Sequence, residues 1–200
     1  MKYDPAKHHR RSIRLQGYDY SQAGAYFITI CTWQRECLFG EIVNGEMQLN
    51  SWGETVKLHW HNLPKHHDHL ELDEFVIMPN HLHGIIVLIN YNSGQNFVGA
   101  GLADISGKKQ ITSQQNPPSP MLQPQNQPKK LPEILRGFKT FSARRINQMR
   151  RTSGVPVWQR NYYEHIIRNE ESLECIRQYI MNNPLSWELD QLHPNNPSKW

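Results

Sequence analysis

Two histidines one residue apart, His81 and His83, stand inside "FVIMPNHLHGIIVLI", residues 75–89, a run otherwise apolar enough for a buried strand. In a strand, residues i and i+2 point to one face, so both imidazoles share a side and Leu82 takes the other. Two neutral imidazoles on one face could bind a single metal ion. A lone strand histidine is usually structural, but a same-face pair just after the Pro79–Asn80 turn is harder to assign to packing. The same spacing recurs in His59-Trp60-His61, where a helix is expected and i and i+2 diverge. His66-His67-Asp68-His69 reads as a polar connector.

Candidates to complete a site lie towards the C-terminus, in "QYIMNNP", residues 178–184. Leu173, Ile176 and Ile180 form the apolar stripe of a helix. Tyr179 and Asn183, four apart, stack on the shoulder of that stripe. A phenol there could reach the rim of the sheet, and Asn183 could add an amide oxygen to the two nitrogens. Oxygen donors tilt preference towards Mg²⁺ or Mn²⁺. The alternative makes Tyr179 a boundary core residue and Asn183 a helix C-cap before Pro184. Spacing leaves both open.

The elements that must position these groups follow from periodicity and turn chemistry. "AYFITICTW", residues 25–33, is rich in aromatic and β-branched residues and suits a strand. "FGEIVNGEMQLN" alternates about Asn44–Gly45, a two-residue hairpin signal. Ser51 is expected to cap a helix through Trp52, Val56 and Trp60, with Glu54 at the capping-box position and a stop before Pro64. "LELDEFVIM" and "LHGIIVLI" form a second hairpin. Residues 131–151 restore a helical pattern (Leu135, Phe138, Phe141 or Ser142, Ile146, Met149). "VPVWQRNYYEHIIR" is a last strand, and "NEESLECIRQYIMNNP" a helix capped by Asn169 and ended by Pro184. Without the small hairpin the order is β-α-β-β-α-β-α. That is an α+β, ferredoxin-like split βαβ with an antiparallel sheet and an added C-terminal helix. Many functions share this fold, so function has to come from the site.

The chain has 200 residues, 38% of them hydrophobic, enough for one domain. Residues 1–24 read as a basic arm, 25–89 and 131–184 as the domain, and 185–200 as a tail. Residues 90–130 are rich in Gln, Asn, Ser, Gly and Pro and read as a flexible insertion. No run suits a signal peptide or a membrane span. Three cysteines, Cys31, Cys37 and Cys175, cannot all be bridged, which fits a reducing cytoplasm. The net charge is +4, yet residues 129–168 hold ten Lys/Arg against Glu133 and Glu164, so positive charge is concentrated there. Such a surplus suits a phosphate backbone or a solvated face. Lys139, Arg144, Arg145 and Arg160, with Arg10, Arg11 and Arg14 on the arm, are the candidate DNA contacts. Trp158, Tyr162 and Tyr163 could stack unpaired bases, core packing being the favoured reading of Trp158.

"MPNHLHGII" followed by "QYIMNNP" resembles the single-tyrosine HUH transposases. "HHRRSIRLQGYDYSQAGAYFITICT", "GFKTFSARRIN" and "VWQRNYYEHIIRNEE" resemble their REP-associated tyrosine transposase branch. The resemblance spans nearly everything outside residues 90–130 and the extreme C-terminus. It implies that His81 and His83 are metal ligands, Tyr179 the nucleophile and Asn183 the third ligand. Some relatives carry glutamine where this chain has Asn183. The resemblance also implies a 5′-phosphotyrosine intermediate and a DNA hairpin beside a single-stranded guide; Mg²⁺ or Mn²⁺ is the expected cofactor, and the sequence leaves monomer and homodimer both open. Tyr162 and Tyr163 are rival nucleophiles, and His165 a candidate outer ligand or DNA contact. A non-catalytic nucleic-acid binder and a zinc hydrolase using the histidine pair are the competing functions.

Overall fold

The computed structural model describes residues 19, 22–90 and 128–196. Arg10, Arg11 and Arg14, and nearly all of the 90–130 stretch, lie outside the described residues. The main sheet has four antiparallel strands: β1 (Gly24–Cys31), β4 (Leu70–Met78), β5 (His81–Leu88) and β6 (Tyr163–Ile167), in the order β4-β5-β1-β6. That is the ferredoxin-like order, with β1, rich in β-branched and aromatic residues, and β5 at its centre.

Alternation sorts each strand onto two faces. Tyr26, Ile28 and Ile30 of β1 and Leu82 and Ile86 of β5 join the larger core. Over them pack α1 (Ser51–His61) and α3 (Leu131–Met149), through Val56, Trp60, Leu131, Ile134, Leu135, Phe138 and Ile146. Gly84 lies under Trp60. A Cβ there would stand 2.5 Å from the indole, so only glycine lets the helix sit this low. The opposite face carries Phe27, His81, His83 and Ile85, with α4 (Glu170–Asn182) laid over it through Ile180, Leu173 and Ile176.

Local chemistry adjusts several expectations. β2 (Gly40–Val43) and β3 (Glu46–Leu49) flank Asn44 and Gly45, both at positive φ (53° and 79°), as a type I′ turn requires. The cap of α1 is Asn50, not Ser51: its side chain accepts from the N–H groups of Trp52 and Gly53, with no capping box at Glu54. A short helix α2 (Leu63–His66) follows, with Pro64 in its first turn where no N–H is needed. On α3, Ser142 rather than Phe141 faces the core; its hydroxyl donates to Phe138 O and accepts from Trp158 Nε1–H at 3.0 Å.

The last strand is much shorter than "VPVWQRNYYEHIIR". Before Tyr163, that stretch pairs only through one bridge, Thr32 with Trp158. The carbonyls of Gln159, Arg160 and Asn161 turn instead to Lys139 Nζ, which removes them from a ladder. Residues 184–189 form a 3-10 turn, and Trp187, Asp190 and His193 beyond α4 are buried against the domain rather than trailing as a tail. Among the described residues no helix is long and apolar enough to cross a membrane.

Candidate metal centre and tyrosine site

His81 and His83 are 0% and 3% exposed, because β5 is an inner strand with α4 and the 184–193 segment over this face. Their rings stand 4.5 Å apart, and Trp187 packs against His81. Each ring is oriented by a second polar partner. Asn80 donates its amide hydrogens to Arg35 O and Leu192 O, which turns Asn80 Oδ1 towards His81 Nδ1 at 2.8 Å. His81 therefore carries its proton on Nδ1 and presents a bare lone pair at Nε2. His83 Nδ1 is held by Thr29 Oγ1 at 2.8 Å, and its Nε2 is 3.2 Å from Tyr179 Oη. Fixing one imidazole nitrogen so that the other is aimed is how ligating histidines are held.

The third member is Asp190. Its Oδ2 is 3.8 Å from His81 Nε2, and one nitrogen of each imidazole and a carboxylate oxygen of Asp190 all lie within 4.8 Å of one another. Asn183 Nδ2 donates to Asp190 Oδ2 at 3.2 Å and Leu192 N–H to Oδ1 at 2.6 Å. Within this cluster two buried acceptors, His81 Nε2 and Asn183 Oδ1, have no hydrogen-bond partner among the described residues.

Burial drives the His81 pKa down to about 3, with Arg35 adding to the fall; Asn183, which would accept from a protonated ring, opposes it. His83 is lowered well below the ordinary value, again by burial and then by His81. Both rings are neutral at physiological pH, so the approach of His81 to Asp190 is no ion pair. A bare imidazole lone pair and an unpartnered amide oxygen stand beside a carboxylate whose Oδ2 accepts from the same amide's nitrogen. That donor set fits a cation of the Mg²⁺/Mn²⁺ class, and the nitrogens equally admit zinc. Tyr179 is raised to about 12 by burial and by the negative Asp190, against an opposing pull from Asn183.

The helix carrying the tyrosine is tied to the sheet by Arg177, whose Nε and Nη2 donate to the two carboxylate oxygens of Asp73 at 2.9 and 2.6 Å. Asp73 sits where the β4–β5 register shifts, between Leu72 and Phe75. A bidentate fork of this kind sets orientation as well as distance.

Other sequence candidates are dispersed. His59 and His61 diverge on α1 around the buried Trp60. His69 is buried, its Nε2 bonded to Lys129 O. Lys139 spends its ammonium on three carbonyls, and burial lowers its pKa to about 8, so it is a strut rather than an open phosphate contact. Arg144, Arg145 and Arg160 are exposed. Trp158 is core and Tyr162 packs beside it, whereas Tyr163 and His165 are exposed on the histidine face. The three cysteines are free.

Sequence reasoning missed Asp190, Asn80 and Thr29. Asp190 follows a 3-10 turn with no helical or strand period; its signal was "SWELDQLH", where a tryptophan and a histidine bracket an acid in a supposed tail. Thr29 becomes visible only with the register that pairs it with His83.

No family model matches the sequence. An uncharacterized protein of Haemophilus influenzae is 45% identical over 195 residues, covering 96% of this chain and 97% of that one. Among solved structures, a REP-associated tyrosine transposase bound to a REP hairpin aligns with a TM-score of 0.52 at 14% identity, covering 96% of this chain and 91% of that chain. The chain thus belongs to one family with the Haemophilus influenzae protein, and its ferredoxin-like fold is the one seen in that transposase.

Proposed function

We propose that the protein is a metal-dependent DNA nickase and strand transferase of the single-tyrosine HUH type, acting on single-stranded or hairpin DNA. The observation that carries this reading is the approach of Tyr179 Oη to His83 Nε2, 3.2 Å, beside the unpartnered His81 Nε2 and the Asp190 carboxylate. The structural neighbour's REP hairpin supports a hairpin substrate, and the surplus of arginine over residues 129–168 supports an anionic one.

His81, His83 and Asp190 would hold the divalent ion, with Asn183 Oδ1 adjoining. When bound, such an ion supplies positive charge to the scissile phosphate and to the phenolate. His83 Nε2 can serve the phenol proton or a cation but not both, so an ion held there would release Tyr179 Oη from it. Tyr179 Oη attacks phosphorus and the bond from phosphorus to the 3′-oxygen breaks. The phenol gives up one proton and the departing 3′-oxygen gains one. The products are a 5′-phosphotyrosine and a 3′-hydroxyl, and attack by another 3′-hydroxyl reverses the step. Asn183 steadies both ends, holding Asp190 through its amide nitrogen and favouring the phenolate over the phenol.

The test is a denaturation-resistant adduct between the protein and labelled single-stranded hairpin DNA in Mg²⁺ or Mn²⁺. The adduct is expected with the parent chain and lost in Tyr179→Phe, while His81→Ala abolishes nicking and spares hairpin binding. Cleavage that survives Tyr179→Phe without an adduct would overturn the covalent step in favour of hydrolysis. Binding without cleavage under every metal would leave a nucleic-acid binder.

A further inference from the structure

We infer that Tyr163 is a stacking platform for an unpaired nucleobase, on the uncovered half of the face that carries the histidines. The inference rests on the DNA-processing reading above and names a subsite of that same surface.

The face is covered unevenly. α4 lies over β4 and the centre of the sheet: Arg177 binds Asp73 on β4, and Ile180, Leu173 and Ile176 pack with Phe27, Ile85, Val76 and Val87. At the far edge, on β6, Tyr163 is 45% exposed and His165 is exposed as well. The bare ring thus stands on an edge strand beside a site that is buried on its other flank.

Register places it usefully. Thr29 pairs with His83 on one side and with Tyr163 on the other, so the three stand in one row across β5, β1 and β6 with side chains on one face. Two strand spacings, about 10 Å, separate Tyr163 from His83. That separation places Tyr163 to hold a nucleotide neighbouring the one at the histidines. The ring also has a packing partner at its base. Phe27 meets Tyr163 edge-on at 6.4 Å and Tyr179 edge-on at 6.0 Å, a buried wedge spacing two exposed phenols. An edge-on contact orients a ring without covering both of its faces. Exposed Arg160 and Arg168 bracket β6 and supply charge for the backbone of the same strand. Tyr162 and Trp158 cannot share the role, since both pack with the core on the opposite side.

The chemistry selects single-stranded nucleic acid, because a duplex presents no free base face and every unpaired base can stack on a phenol. The test measures binding of a labelled oligothymidine strand and of a blunt duplex of equal length, in chelator so that no cleavage intervenes. Tyr163→Ala is expected to weaken the single strand by roughly ten-fold or more and to leave the duplex unchanged. Tyr163→Phe keeps the parent affinity for both. Parent-like single-strand binding by Tyr163→Ala overturns the inference, as does an equal loss on both DNAs or a Phe variant as weak as the Ala variant. The two readings fail separately. An intact adduct with Tyr163→Ala binding like the parent removes only the platform; a Tyr163-dependent preference with no adduct under any metal removes only the nickase.

Discussion

The oxygen of Asp190 that lies 3.8 Å from His81 faces a nitrogen with no proton to offer. Like-natured acceptors are held together against their mutual repulsion by Asn80, Thr29, Asn183 and the Leu192 N–H, each already spent on orienting one of them. Asp190→Asn removes the charge and keeps the shape, so it is expected to weaken Mn²⁺ binding by about ten-fold or more, read by calorimetry. The same burial acts on stability. The folded His81 titrates near 3 and His83 is lowered in the same direction, whereas the unfolded rings take protons near 6.5. With metal chelated, their contribution is complete above about pH 6.5 and shrinks as pH falls towards 3. Denaturant midpoints measured down this range should fall, and fall less steeply in His81→Gln. At this scale the sequence was legible wherever two chemistries coincided in a short period: the His81/His83 alternation, and Tyr179 with Asn183 one turn apart. Asp190 was opaque because nothing periodic marks it.

Among the elements, α4 is the part whose placement decides whether a phenol meets an imidazole. Only a few apolar side chains seat it, and Ile180 is its one fully buried residue. The Asp73–Arg177 fork therefore contributes direction more than adhesion. Arg177→Ala is expected to lower the urea midpoint only slightly, as part-exposed pairs do, yet to slow adduct formation several-fold. A slowing no greater than the stability loss accounts for would show that the helix needs no such guide. Strand and helix identities were readable from alternation and caps, since those are local. The fork was not, because it joins residues 73 and 177 through a register shift that the pattern "LELDEFVIM" does not reveal. The shortened β6 has a similar cause: Lys139, a charge that reads as a DNA contact, consumes the carbonyls that would have continued the strand.

For the whole molecule, the order of elements along the chain sufficed to give the ferredoxin-like sheet, because that topology is fixed once two βαβ halves and their hairpin are recognised. Whether the proposed nucleophile and the histidines could come from one chain was hidden. Here Tyr179 and both histidines meet within a single chain. A mixture of Tyr179→Phe and His81→Ala proteins is accordingly expected to form no adduct; recovery of activity on mixing would require exchange of α4 between copies. The position of Asp190 beyond that helix has a consequence for how the protein is made. A ribosome delivers the imidazoles long before the carboxylate, so a chain still being synthesised, or one stopped early, is a half-furnished ligand set. A protein proposed to cut DNA would thus become able to do so only after residue 190 has been made and has folded back onto the sheet.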